Sequence, residues 1–138
     1  MKLPATLALV AATALAPLMA HAQYRGNVDT YGPDCSYRAR ILPHDKYNSS
    51  GMDLRRLRGN AAVAAILRQN RANEVKAMGR DAGSCLSSYE ERANFERLIK
   101  ASRISSSARN AIINGTPAIR VDVYYGPRGN DYIEVSIR

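Results

Sequence analysis

Residues 118–138 read AIRVDVYYGPRGNDYIEVSIR, and this stretch decides the fold. Apolar and polar side chains alternate over residues 119–125 and again over residues 132–137, which is the period of a half-buried β-strand. Between them, residues 126–130 (GPRGN) carry the Gly, Pro and Asn that favour a turn. The stretch therefore predicts an antiparallel β-hairpin with one apolar face and one polar face.

A two-stranded hairpin is only marginally stable in water, so its apolar face needs a partner. Residues 35–42 (CSYRARIL) also alternate, with Tyr37, Ala39 and Ile41 on one side. This segment is a candidate third strand of the same sheet.

The longest helical pattern lies over residues 61–78, which are rich in Ala and carry Val63, Ile66, Leu67 and Met78 on one face. Asn60 is predicted to cap its beginning, and Gly79 is predicted to end it. Small Ala side chains let neighbouring elements approach closely, so we expect this helix at the centre of the domain.

Two shorter helices follow. Ser88 and Glu91 form the capping-box pattern that opens a helix running to about Ala101. Ser105 is predicted to cap a helix that runs through Ile113. The expected fold class is α+β: a small single domain with two or three helices packed on a C-terminal antiparallel hairpin.

The amino end predicts export. A charged Lys2, a short apolar run over residues 7–15 and the Ala-His-Ala triplet at 20–22 are typical of a cleavable signal peptide over residues 1–22. The alternative, a membrane anchor, needs about 20 apolar residues, more than this run supplies. We expect a periplasmic or secreted protein.

The exported part is predicted to be one domain, residues 23–138, because its length suits a single modest core. Residues 23–34 (QYRGNVDTYGPD) are polar and contain Gly and Pro, so they are interpreted as an arm.

Cys35 and Cys85 are the two cysteines of the chain. In an oxidising compartment the expected state is a disulfide between them. Closing a loop of about 50 residues would stabilise the fold by roughly 3–4 kcal/mol in the chain-entropy model. A metal pair or a catalytic thiol are the alternatives, and the chain lacks the His spacing that either requires.

The net charge of the chain is +8, and loss of Lys2 with the signal peptide would lower it only slightly. Such a domain is suited to an acidic protein or an anionic envelope polymer, although the charge also serves solubility. The densest basic group is a candidate anion-binding patch, and a solvated helix face is its alternative. Its members are Arg55, Arg56, Arg58, Arg68 and Arg71.

Tyrosine is abundant, with eight residues against one Phe and no Trp. Tyr124 and Tyr132 fall on the polar face of the hairpin, beside Arg120, Asp122 and Glu134. They are candidates for a docking platform or for the lining of a half-solvated sheet. Because the tyrosines are separate from the arginine group, base stacking is not expected, which argues against nucleic acid as the partner.

Catalytic patterns are weak. Glu74 lies on the apolar stripe of the first helix, as a general acid with a raised pKa would, or pairs there with an arginine. His44 and Asp45 are adjacent in a loop, a poor geometry for a base and its orienting carboxylate. No metal or cofactor motif is present, so none is predicted.

Three functions are compatible with these features. The first is an exported basic binding protein that recognises an anionic macromolecule, for example as an inhibitor or immunity-type protein. The second is a small cell-wall glycan hydrolase that uses Glu74 as its acid. The third is a structural or accessory protein of the envelope.

Overall fold

The computed structural model describes residues 32–138, so the predicted signal peptide and most of the predicted arm lie outside the described residues. The elements are, in chain order, β1 (Cys35–Arg40), α1 (Gly59–Met78), α2 (Tyr89–Ala101), α3 (Ser106–Asn114), β2 (Ala118–Tyr124) and β3 (Tyr132–Ile137). Short 3₁₀ turns lie at Pro43–Lys46, Leu54–Leu57, Gly79–Ala82 and Pro127–Gly129. The predicted α+β class is confirmed.

The three strands form one antiparallel sheet in the order β1-β2-β3. The predicted third strand is confirmed, and it pairs with β2, placing Tyr37 opposite Val121. On the other side of β2, Val121 lies opposite Val135. β1 ends at Arg40, two residues earlier than expected, because the chain turns into the 3₁₀ turn that begins at Pro43.

One face of the sheet packs on the helices, and this inner face forms the core with α1. The buried apolar strand residues all have odd numbers, as the period of two requires. They are Tyr37, Ile119, Val121, Val123 and Ile133. The helices contribute Val63, Ile66, Leu67, Phe95, Ile99 and Ile112. The expectation that α1 lies centrally is met, since it packs against both other helices.

The beginning of α1 differs from the prediction. The helix begins at Gly59, so Asn60 lies inside it and does not cap it. The Asn60 amide instead donates to the backbone oxygen of Ser102 at 2.7 Å, which ties the start of α1 to the end of α2. Gly79 ends the helix as predicted, with a φ of 57°. Met78, expected on the apolar face, is 52% exposed.

The caps of the other two helices are confirmed. Ser88 accepts from the backbone N–H of Glu91, and the Glu91 carboxylate accepts from the N–H of Ser88. Ser105 accepts from the N–H of Ala108 at the start of α3. Local sequence decided these ends because a cap satisfies backbone groups within one turn.

Cys35 and Cys85 form the predicted disulfide, with their Cα atoms 5.5 Å apart. The bond joins the first residue of β1 to the connection between α1 and α2. Within residues 32–138, no helix is both long and apolar enough to cross a bilayer.

Candidate binding surface

The outer face of the sheet points away from the core, and its side chains have even numbers. It is defined by Ser36, Arg38 and Arg40 on β1, Arg120, Asp122 and Tyr124 on β2, and Tyr132, Glu134 and Ser136 on β3. Every one of these side chains is exposed or half-buried except Asp122. The outer face is therefore a flat polar surface built on rigid elements.

Tyr124 and Tyr132 are directly opposite each other in the ladder between β2 and β3. Their rings stack with centroids 4.4 Å apart and planes only 7° from parallel. Partial burial, with the nearby charges of Glu134 and Asp122, raises the pKa of the Tyr124 hydroxyl. Cross-strand aromatic pairs stabilise a sheet, and this one places two stacked rings at one end of the outer face.

Arginines dominate the middle of the outer face. The Nε of Arg120 donates to both carboxylate oxygens of Asp122, at 2.9 and 2.8 Å, and this bond raises the pKa of the guanidinium. Arg38 lies opposite Arg120 in the register. Like charges directly opposite repel each other, and the Asp122 carboxylate bound to Arg120 offsets this repulsion.

Arg38 is exposed and makes no ion pair within residues 32–138, whereas Arg40 donates to the backbone oxygen of Thr116 at 3.0 Å. Along β1, the guanidinium of Arg40 is therefore held by a hydrogen bond, whereas that of Arg38 is available to a binding partner.

The structure divides the basic group predicted from residues 55–71. Arg55 bonds to Asp53 and Tyr47 beside its own 3₁₀ turn. Arg68 pairs with Glu96 on α2 and lies over the ring of Tyr89, 5.0 Å from its centroid. Two members, Arg56 and Arg58, are exposed and make no ion pair in the described part of the chain.

Arg71 does not lie on the surface at all, which corrects its inclusion in an exposed patch. Its side chain is 2% exposed, and its guanidinium stacks on Tyr37 at 4.8 Å. The Nε donates to the backbone oxygen of Cys85 at 2.8 Å, and an Nη donates to that of Ala82 at 2.8 Å. Sequence spacing missed this because residues 82–85 are distant from Arg71 along the chain.

Glu74 pairs with Arg71 at 3.2 Å, which is the arginine pairing considered as an alternative to catalysis. Burial raises the pKa of its carboxyl, the charge of Asp45 adds to this effect, and Arg71 opposes it. Two cavities of the described region, beside β3, are lined by other residues. Catalysis by Glu74 stays a sequence-based prediction.

The His44–Asp45 pair separates into an exposed and a buried partner. His44 is 63% exposed, and its Nε2 lies 3.5 Å from the Asp45 carboxylate, whose side chain is 1% exposed. That carboxylate accepts from the backbone N–H of Leu42 and from the amides of Asn70 and Asn73, at 2.7–2.9 Å. Asp45 thus fastens the 3₁₀ turn to α1, a role that the sequence interpretation missed.

Lys46 is also buried, at 5% exposure. Its Nζ donates to the backbone oxygen of Gly115 at 2.6 Å, just before β2. Burial lowers the pKa of this ammonium, the charge of Arg55 lowers it further, and Asp53 opposes both. Together Asp45 and Lys46 join the loop after β1 to α1 and to the end of α3.

Within residues 32–138, no cluster of three or more His, Cys, Asp or Glu side chains has the arrangement of a metal site. Comparison with known proteins found no matching family model, no matching curated protein and no matching solved structure.

Proposed function

We propose that this protein is an exported binding protein that recognises an anionic macromolecule through the outer face of its sheet. An inhibitor or immunity-type protein that docks on an acidic protein is one concrete form. Export is supported by the disulfide, which is typical of oxidising compartments.

The observation that carries the proposal is that more arginines than carboxylates are left without an ion pair. Within residues 32–138, four carboxylates pair with an arginine or lysine, those of Asp53, Glu74, Glu96 and Asp122, whereas Asp34, Asp45 and Glu91 accept from backbone or amide N–H groups. Many arginines make no ion pair within residues 32–138: Arg38, Arg40, Arg56, Arg58, Arg80, Arg92, Arg97, Arg103, Arg109, Arg128 and Arg138. The free charge at the surface is therefore predominantly positive.

The outer face adds shape and rigidity to that charge. Strands hold Arg38 and Arg120 at a set separation, and the stacked Tyr124–Tyr132 pair lies on the same face. Tyrosine and arginine are enriched where proteins bind each other, because both bury large areas with little loss of freedom.

The test measures the affinity of the exported protein for two defined polyanions, an acidic polypeptide and an anionic polysaccharide, with neutral dextran as the blank. We expect binding to at least one polyanion that weakens as salt rises. Arg38→Glu should weaken it about tenfold, equal to about 1.4 kcal/mol.

Arg97→Glu is the matched control. Arg97 is exposed on α2 and hydrogen-bonds only to Asn94 among the described residues. Its substitution by Glu changes the net charge by the same amount as Arg38→Glu. Equal losses in the two variants would mean that net charge alone drives binding. An absence of binding to either polyanion would reject the proposed function.

A further inference from the structure

The open edge of β3 is the second surface of interest. In an antiparallel ladder, alternate residues direct both backbone groups to the same neighbour. The N–H of Arg138 donates to the oxygen of Ala118 at 2.9 Å, so the even-numbered residues of this strand face β2. The N–H and C=O groups of Ile133, Val135 and Ile137 consequently point to the open edge, and no partner for them lies within residues 32–138.

The opposite edge of the sheet is better covered. On β1 the even-numbered residues face outward, and the backbone oxygen of Arg40 accepts from the Asn70 amide at 3.0 Å. No such contact to β3 comes from residues 32–138, and its sequence, YIEVSI, contains no Pro or Lys to discourage pairing. An edge of this kind is a template for another strand.

Two cavities lie along β3, between this strand and the helices. One has a volume of about 280 Å³ and a mixed lining, with Leu86, Phe95 and Leu98 beside Glu90, Glu91 and Asn94. The other has a volume of about 380 Å³ and is also mixed, with Ile104, Ala108 and Val135 beside Arg103 and several serines. Because Ile133 lines both, they adjoin one another and give an added strand space for its inward side chains.

We propose that the occupant of this edge is β3 of a second copy of the chain, paired antiparallel about Val135. In this register Val135 lies opposite Val135 of the second copy, and Ile133 lies opposite Ile137 of the second copy. The odd-numbered residues of both edges then exchange their backbone hydrogen bonds, as a two-fold symmetric pair requires.

The side chains of β3 favour this register over its neighbour. Glu134 faces Ser136 of the second copy, and Tyr132 faces Arg138 of the second copy, a cation beside an aromatic ring. Moving the centre by one residue to Glu134 would bring two carboxylates face to face, which is unfavourable. Moving it to Ser136 would place Glu134 opposite Arg138 of the second copy, so charges introduced at positions 134 and 136 distinguish that register from the one about Val135.

Pairing would join two three-stranded sheets into one and make their outer faces continuous. Two Tyr124–Tyr132 pairs and two sets of arginines would then lie on one surface, which strengthens binding to a repeating polymer through multivalency. Dimer formation requires no anionic ligand, so its test is independent of the test of the proposed function.

The test is sedimentation equilibrium of the exported protein and of variants at position 136. Ser136→Glu places a carboxylate opposite Glu134 of the second copy, twice by symmetry, while inside one copy it lies opposite Arg120. We expect a wild-type dimer, and a dissociation constant raised about tenfold or more in the variant, because opposed like charges destabilise a strand pair. Thermal unfolding of the dilute protein checks that each copy stays folded.

The double variant Glu134→Lys with Ser136→Glu restores opposite charges across the proposed pair. We expect its dissociation constant to return to within about threefold of the wild-type value. This residual change is smaller than the effect of one pair of opposed like charges. A wild type that remains monomeric at the highest attainable concentration overturns the proposal. So does a Ser136→Glu variant that dimerises as well as the wild type, or a double variant that stays as weak as the single one.

Discussion

The two faces of the sheet use the same residue types for opposite purposes. Against the inner face, Arg71 of α1 stacks on Tyr37 and donates hydrogen bonds to backbone oxygens at and near Cys85. On the outer face, Arg38 and Arg120 lie exposed or half-exposed on the strands that carry the Tyr124–Tyr132 stack. A guanidinium without water needs every donor satisfied, whereas one at the surface stays available to a partner.

This contrast shows that an arginine adds to the basic surface only where the fold leaves its guanidinium exposed and unpaired. Arg68 and Arg71 belong to the same cluster of sequence as Arg56 and Arg58, but the first two are engaged by the protein. Substitutions on the inner face should therefore change stability, and those on the outer face should change binding.

The largest expected effect belongs to the inner face. Arg71→Met removes the guanidinium and leaves the oxygens of Ala82 and Cys85 and the carboxylate of Glu74 without their donor. We expect the free energy of unfolding to fall by about 3–5 kcal/mol, as for other broken buried ion pairs. Urea denaturation followed by circular dichroism measures it.

Arg97→Met on the exposed side of α2 is the control for that experiment and should change stability by less than about 0.5 kcal/mol. If Arg71→Met lost no more than its control, the guanidinium would not be holding residues 82–85, and the distinction between the two faces would fail.

An intermediate effect is expected where a charge is partly buried between helices. Glu96 bonds to Arg68 on α1 and to Lys100 on its own helix. Burial alone would raise the pKa of this carboxyl, but the hydrogen bonds with Lys100 and Arg68 outweigh it and hold the pKa below its usual 4.5. Because the folded-state pKa is depressed, ionised Glu96 stabilises the fold above that value and loses this effect as the pH falls through the folded pKa.

Glu96→Gln should therefore lower the free energy of unfolding by about 1 kcal/mol at neutral pH, and this difference should shrink as the pH falls below 4.5 and through the folded-state pKa. Glu90→Gln serves as its control, since Glu90 is exposed on the same helix and forms no ion pair with the described residues. A difference between Glu96→Gln and the wild type that did not shrink on acidification would contradict the ionic origin of the effect.

The smallest effect on stability is expected on the outer face. Arg38→Glu changes a side chain that is exposed and lies opposite Arg120, so the free energy of unfolding should stay within about 0.5 kcal/mol of the wild type. The same urea titration measures it. If Arg38→Glu lowered the free energy of unfolding by about 2 kcal/mol or more, any weakened polyanion binding would be explained by a destabilised sheet.

Much of the fold was accessible from local patterns. The hairpin at residues 118–138, the capping box at Ser88 and Glu91, the Ser105 cap and the glycine at the end of α1 are local features, so neighbours in sequence are enough to specify them. The disulfide followed from the count of two cysteines and the predicted compartment. Asn60 was misjudged because its partner, Ser102, comes from another helix.

The candidate site was accessible only in part. Alternation placed Tyr124 and Tyr132 on one polar face, and their stacking then required the register of β2 and β3. The buried Asp45 and Lys46 carried no signal, because charged loop residues are usually exposed and their partners are distant along the chain.

Sequence alone determined the elements of this protein, its alternating faces and its excess of positive charge, because these depend on residue type and short-range spacing. Tertiary structure alone decided which charges remain available. Packing placed Arg71 under residues 82–85 and left Arg38 in water, since burial and hydrogen-bond partners depend on segments far apart in the chain. Among the described residues, tertiary packing also covered the Arg40 oxygen on β1 and placed no strand beside the outer edge of β3.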